Sequence, residues 1–238
     1  MNWTSLPANT TAGQGSGTFH PASAKGEAGS EPAAQFLIRE RQGRLLDLLH
    51  RHGCMPLTGK RILDVGCGTG TWLRDLIGWG ADPANLFGVE WLPASAARAR
   101  RLCPEPVTIA CSNAATLEFP PESFDIVLQA TVFSSVLDLD MRRAIASEML
   151  RVVRPTGLIL WYDVIVENPW NSCVHPLRKS EIRQLFPGCS LELLRVGLAP
   201  LFAKLAAPRS WRVSSILSAL PPMCTHCLGA IRPPMRQP

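Results

Sequence analysis

The segment Arg61-Ile62-Leu63-Asp64-Val65-Gly66-Cys67-Gly68-Thr69-Gly70-Thr71-Trp72-Leu73 constrains this chain more than any other stretch. An apolar run leads into glycines at alternate positions and then into a helical pattern, which reads as strand, tight loop and helix. Glycine tolerates positive φ and lets a ligand lie against bare backbone, while the helix start adds N–H donors. A dinucleotide fingerprint, G-x-G-x-x-G, needs its third glycine at position 71, where Thr71 stands; here it is Gly70. Asp64 also lies two residues before Gly66. A carboxylate there repels a pyrophosphate and welcomes a cation, which argues against a nicotinamide oxidoreductase.

The rest of the chain supplies the frame. Strand patterns at 61–65, 86–90, 107–111, 124–129 and 158–163 alternate with helical patterns at 71–79, 93–102 and 141–153. That alternation predicts a parallel sheet covered by helices. Beyond it come a helix at 179–186, a strand at 191–196, an apolar helical region at 201–220 and a strand at 225–231. The expectation is an α/β, doubly wound, seven-stranded sheet, mostly parallel with an antiparallel edge strand. Residues 1–34, rich in Gly, Ala, Ser, Thr and Pro, read as a disordered leader, with an amphipathic helix following at 35–52. Residues 35–238 then form a single domain in which 164–224 is a helical and loop region for substrate. A length of 238 residues suits one such domain, and 46% apolar with 18% charged residues excludes a disordered chain. No apolar run is long enough to span a bilayer, and no secretory pattern opens the chain, so the expected compartment is the cytoplasm.

The second strand ends at Glu90, placed to take both hydroxyls of a ribose, and Trp91 follows as a surface for a base. With Asp64, Gly66, Gly68, Gly70 and Glu90 in this order, the sequence resembles the class I S-adenosylmethionine-dependent methyltransferases over most of 36–231. Cys111-Ser112-Asn113-Ala114-Ala115 is similar to that family's adenine-contacting stretch, with Asn113 where Asp is usual. The resemblance implies a Rossmann-like fold, S-adenosyl-L-methionine as cofactor, and methyl transfer. It places Asp64, Gly66, Cys67, Gly68, Gly70, Thr71, Glu90, Trp91, Asn113, Ala114 and Gln129 around the cofactor, with Gln129 to Thr131 near the methyl group. Within the family the chain is most similar to stand-alone bacterial enzymes acting on small molecules or glycans, on the strength of Asp163, Asn168-Pro169-Trp170-Asn171 and Arg178-Lys179-Ser180-Glu181-Ile182.

An acceptor hydroxyl needs a general base; a carboxylate or phenol needs little more than alignment. His175, in a loop after the fifth strand, is the first candidate base, and Asp163 the second, as an orienter of His175 or of a substrate hydroxyl. Cys224, His226 and Cys227 do not make a metal site, because a strand sends His226 and Cys227 to opposite faces. Arg39 and Arg41 on the first helix either reach the cofactor carboxylate or sit solvated. From Arg178 onward nine Lys and Arg face two Glu, giving this end a charge of +7. That charge fits a solvated face, an anionic substrate or a membrane surface. The region 198–220 either roofs a greasy pocket, touches a lipid-linked acceptor at a membrane periphery, or packs on the sheet edge. No basic run with interleaved aromatics points to nucleic acid. The alternative to an enzyme is a non-catalytic module that binds S-adenosylmethionine for regulation or interaction.

Overall fold

The computed structural model describes residues 32–167 and 174–234. Most of 1–34, and the stretch Asn168-Pro169-Trp170-Asn171, lie outside the described residues. The chain runs α1 (Pro32–Arg51), β1 (Ile62–Val65), α2 (Thr71–Gly78), β2 (Leu86–Glu90), α3 (Pro93–Leu102) and β3 (Thr108–Cys111). It continues with β4 (Phe124–Ala130), α4 (Val132–Ser135), α5 (Leu139–Val152), β5 (Val153–Val164) and α6 (Lys179–Leu185). β6 (Ser190–Leu198), α7 (Pro200–Ala206), α8 (Trp211–Ser218) and β7 (Cys224–Arg232) complete it.

The seven strands form one sheet in the order β3-β2-β1-β4-β5-β7-β6. β1 through β5 pair in parallel, and β7 runs antiparallel to both β5 and β6. The sheet is mostly parallel as the alternation predicts, and its antiparallel pairing lies at one edge. The reversed strand, β7, sits one place in, with β6 outside it. Strand order turns back on either side of β1, so the crevice at the carboxyl ends of β1 and β4 is where a ligand of such a sheet binds.

Apolar side chains from α1, α2 and α3 cover one face, around Leu45, Leu49, Leu73, Leu76 and Ala99. The other face carries α4, α5 and α6 over Val127, Ile159 and Trp161, with Phe133 and Phe186 packed on the indole. β1 is buried along its whole length, as a central parallel strand must be.

Boundaries moved where distant residues decide them. α1 starts at Pro32 rather than residue 35, because Ala33 and Phe36 bury against Leu198, Ala203 and Ala207. The single apolar stretch 201–220 is two helices: Pro208 breaks it, and Ser210 caps α8 by accepting the Val213 N–H. α5 begins at Leu139, capped by Asp138, whose Oδ1 accepts the Met141 N–H at 2.6 Å. Asp138→Ala is expected to cost about 1 kcal/mol in denaturant unfolding, the usual loss for an N-cap.

Candidate functional site

The glycine loop leaves β1 in left-handed backbone at Gly66 (φ 71), Gly68 (φ 55) and Gly70 (φ 76). The three are not equivalent. A Cβ on Gly66 would run into the Val132 side chain, and one on Gly70 would lie 2.5 Å from Cys103 Sγ; one on Gly68 would meet nothing within 4 Å. Packing therefore requires glycine at 66 and 70, whereas Gly68 presents bare backbone to open space. The Gly66 and Cys67 amides both donate to the Val89 carbonyl, which ties the loop to β2.

Asp64, two residues before Gly66, is fully buried, and among the described residues neither of its carboxyl oxygens meets a hydrogen-bond donor. Burial first, and then the neighbouring Glu90 charge, hold its carboxyl well above the usual range. A buried acid that the protein leaves unpaired, beside a second acid, is a place for a cation.

Glu90 ends β2 nearly buried. Its Oε2 accepts the Gly68 N–H at 2.8 Å and its Oε1 the Leu92 N–H at 2.9 Å. Each oxygen keeps a further lone pair, so the side chain both shapes the loop and stays available for hydroxyl donors. Trp91 beside it is 50% exposed. Asn113 follows β3; its Oδ1 accepts the Ala115 N–H at 2.9 Å and keeps a further lone pair. The half-buried Ala114 packs against the core, and Thr71 opens α2 with its hydroxyl accepting from Arg74.

Three expected site residues turn out to serve the protein. Cys67 points into the core against Gly88, and burial pushes its thiol pKa up, so its side chain is packing. Gln129 is fully buried, with its amide nitrogen toward the Tyr162 carbonyl and its oxygen accepting the Val132 N–H at 3.1 Å. It holds the turn after β4 instead of facing a ligand. Asp163, also fully buried, accepts main-chain N–H bonds from Ser134 and Val164. Burial pushes its carboxyl to about 6 against those bonds. It braces α4 and does not orient His175.

The acid paired with His175 is Glu181. Its Oε1 lies 3.2 Å from His175 Nε2, while the His175 main-chain N–H donates to the Ser134 carbonyl at 2.8 Å. Thr131, between β4 and α4, adopts a left-handed φ of 60. Such backbone is strained for a residue other than glycine, and it is a conformation that functional turns retain.

The sequence spacing gave no sign of a polar aromatic group on the α1 side. Tyr162, the chain's single tyrosine, stacks on His226 at 5.0 Å and meets Trp72 at 5.7 Å. Burial pushes its hydroxyl up to about 12, and burial with the Arg41 charge pushes His226 down to about 4. Arg41 crosses from α1 over the Trp72 ring at 4.4 Å and pairs with Asp75 at 3.6 Å; its buried Nε has no acceptor among the described residues. It is therefore not a solvated helix charge. Among the described residues, no cluster of three His, Cys, Asp or Glu is arranged to hold a metal.

Residues 62–157 match the family described as methyltransferase domain. A ubiquinone biosynthesis O-methyltransferase from Azorhizobium caulinodans is 33% identical over 129 residues, 50% of this chain and 49% of that protein. A phthiotriol/phenolphthiotriol dimycocerosates methyltransferase from Mycobacterium ulcerans is 32% identical over 145 residues, 59% of this chain and 51% of the relative. The chain spans about half the length of these curated relatives. Among solved structures, magnesium protoporphyrin IX methyltransferase from Synechocystis PCC 6803, with bound S-adenosylmethionine, superposes with a TM-score of 0.55 at 15% identity, over 87% of this chain and 86% of that one. That likeness speaks for the fold. The unpaired Asp64 carboxyl and the open backbone of Gly68 suit a cationic nucleoside without phosphate. Taken with these matches, they mark residues 62–157 as a methyltransferase domain.

Proposed function

We propose that this protein transfers a methyl group from S-adenosylmethionine to a hydroxyl or carboxyl oxygen of a small molecule or glycan. The observation that carries the reading is Asp64, a buried acid with no hydrogen-bond partner among the described residues, just before a loop whose Gly68 faces open space. Bound S-adenosylmethionine supplies an activated methyl on a sulfonium, so the chain's own work is to hold, align and exclude water. Asp64 offers negative charge to the cationic end, Glu90 accepts from the ribose hydroxyls, and Trp91 with Asn113 borders the base. One relative carries O-methylation in its name, which supports oxygen as the acceptor atom.

His175 is the base in this reading. Pairing with Glu181 steadies the ring. His175→Ala is expected to lower kcat about 100-fold while leaving cofactor affinity unchanged. Full turnover by that variant removes His175 from the mechanism.

The test of the function is a labelled-methyl screen against pooled hydroxylated and carboxylated metabolites and glycans, run beside calorimetry with S-adenosylmethionine and S-adenosylhomocysteine. Methylated oxygen in a product supports the proposal. Binding of both nucleosides with no acceptor methylated would point to a non-catalytic binding module instead.

A further inference from the structure

The hairpin α7–α8 is built inside out. α8 buries Ser214 and Ser218 and turns Val213 and Ile216 to the outside, Ile216 being 66% exposed, and Leu220 just beyond it is exposed as well. α7 buries Ala203 and Ala206 while Leu201 is 65% and Leu205 54% exposed. A surface helix of a soluble protein does the reverse, with its large apolar side chains on the core. Between the two helices lies a groove of about 300 Å³ lined by Phe202, Leu205, Val213 and Leu217, with Arg209 at its border.

The charge on this hairpin has one sign. Lys204, Arg209 and Arg212 lie among the exposed apolar residues, and no Asp or Glu occurs from 193 to 238. Trp211, partly exposed, is held to α1 by Phe36 at 5.9 Å and by Arg39 at 5.1 Å. Exposed aliphatic side chains, a flanking tryptophan and unopposed cations are the parts of an interfacial membrane anchor. The helices have seven and eight residues, so they lie on a surface and do not cross it.

We infer that the α7–α8 hairpin seats this protein on an anionic lipid bilayer. The hairpin leaves β6 at its carboxyl end and enters β7 at its amino end. β6 runs parallel to β5, so this is the edge of the sheet that bears the glycine loop. Seating there brings the cofactor end to the membrane, where an acceptor carried in lipid is delivered. The docking stands on the surface alone. Only the lipid-borne acceptor rests on the methyl-transfer reading.

The test is co-sedimentation of the full chain with phosphatidylcholine vesicles, with and without phosphatidylglycerol, and with no cofactor present. Binding is expected with phosphatidylglycerol, weaker in high salt and much weaker without the anionic lipid. The triple variant Leu201→Gln, Leu205→Gln, Ile216→Gln is expected to lose at least tenfold in vesicle affinity. Replacing Lys204, Arg209 and Arg212 with Gln is expected to lose roughly fivefold per charge. All six side chains are exposed, so thermal unfolding should stay within a few degrees, and Ile216→Gln alone repeats the apolar arm if the triple variant misfolds. The inference is overturned by absence of binding to either vesicle, by equal binding to both compositions, or by variants that sediment like the parent. It is equally overturned if the apolar substitutions convert a dimer to a monomer with no effect on vesicles, which would assign the face to a second copy.

Discussion

Asp64→Asn is expected to weaken S-adenosylmethionine binding by thirtyfold to several thousandfold and, above about pH 4, to make the protein more stable to heat. The affinity loss follows from removing one partner of a buried charge pair, which costs about 2–5 kcal/mol. The stability gain follows from linkage. The folded-state pKa of Asp64 is raised above its unfolded value, so the native protein binds more protons than the unfolded chain. Its contribution is intact below about pH 4 and is lost as pH rises toward the folded pKa. Asn does not titrate, so the difference in melting temperature should be near zero at pH 4 and widen with pH. About 2–4 °C per kcal/mol is the scale for a chain of this size. Scanning calorimetry from pH 4 to 8 measures it. A variant that keeps parental affinity, or a gap that narrows with pH, contradicts the role given to Asp64.

Gly68→Arg is expected to remove cofactor binding altogether, beyond a thousandfold, while the protein still folds. A side chain at Gly68 enters open space, so the folding cost is the left-handed φ of 55, roughly 1–2 kcal/mol. The guanidinium would then lie beside Glu90, whose Oε2 already reaches the residue 68 amide, and the two would fill the nucleoside cradle together. Gly70→Ala should behave in the opposite way. Its Cβ presses on Cys103 Sγ, so it costs stability and leaves affinity closer to parental. Thermal unfolding and calorimetric titration of both variants separate the two kinds of glycine. Equal loss of affinity in both would mean that loop shape, and not an open face at Gly68, governs binding.

That distinction also shows how far the sequence could be read. The strand–glycine–helix pattern and the acid ending β2 are local, so spacing alone located the loop, Asp64 and Glu90. Which glycine faces open space depends on Val132 and Cys103, brought in from other elements, and no spacing reports it. The same holds for Asp163 and Gln129. Both are polar residues at carboxyl ends of strands, where ligand contacts are expected. Their partners prove to be the backbone amides and carbonyls around α4, a helix of four residues too short to leave a periodic pattern. His175 was legible as a loop histidine, yet its acid, Glu181, sits six residues on at the start of α6. The apolar run after β6 was visible, but not that its large residues face outward, because helical spacing fixes a stripe and not the side on which it lies.

The most direct measurement is calorimetric titration of the wild-type chain with S-adenosylmethionine in two buffers of different ionisation enthalpy, beside an NAD control. Burial and the Glu90 charge favour the protonated Asp64 carboxyl and a bound cation favours the charged one, so binding should release protons, seen as a buffer-dependent enthalpy that Asp64→Asn abolishes. NAD should give no heat of binding. Affinity for NAD, or S-adenosylmethionine binding that is the same in wild type and Asp64→Asn, would contradict a cradle made for a cationic nucleoside.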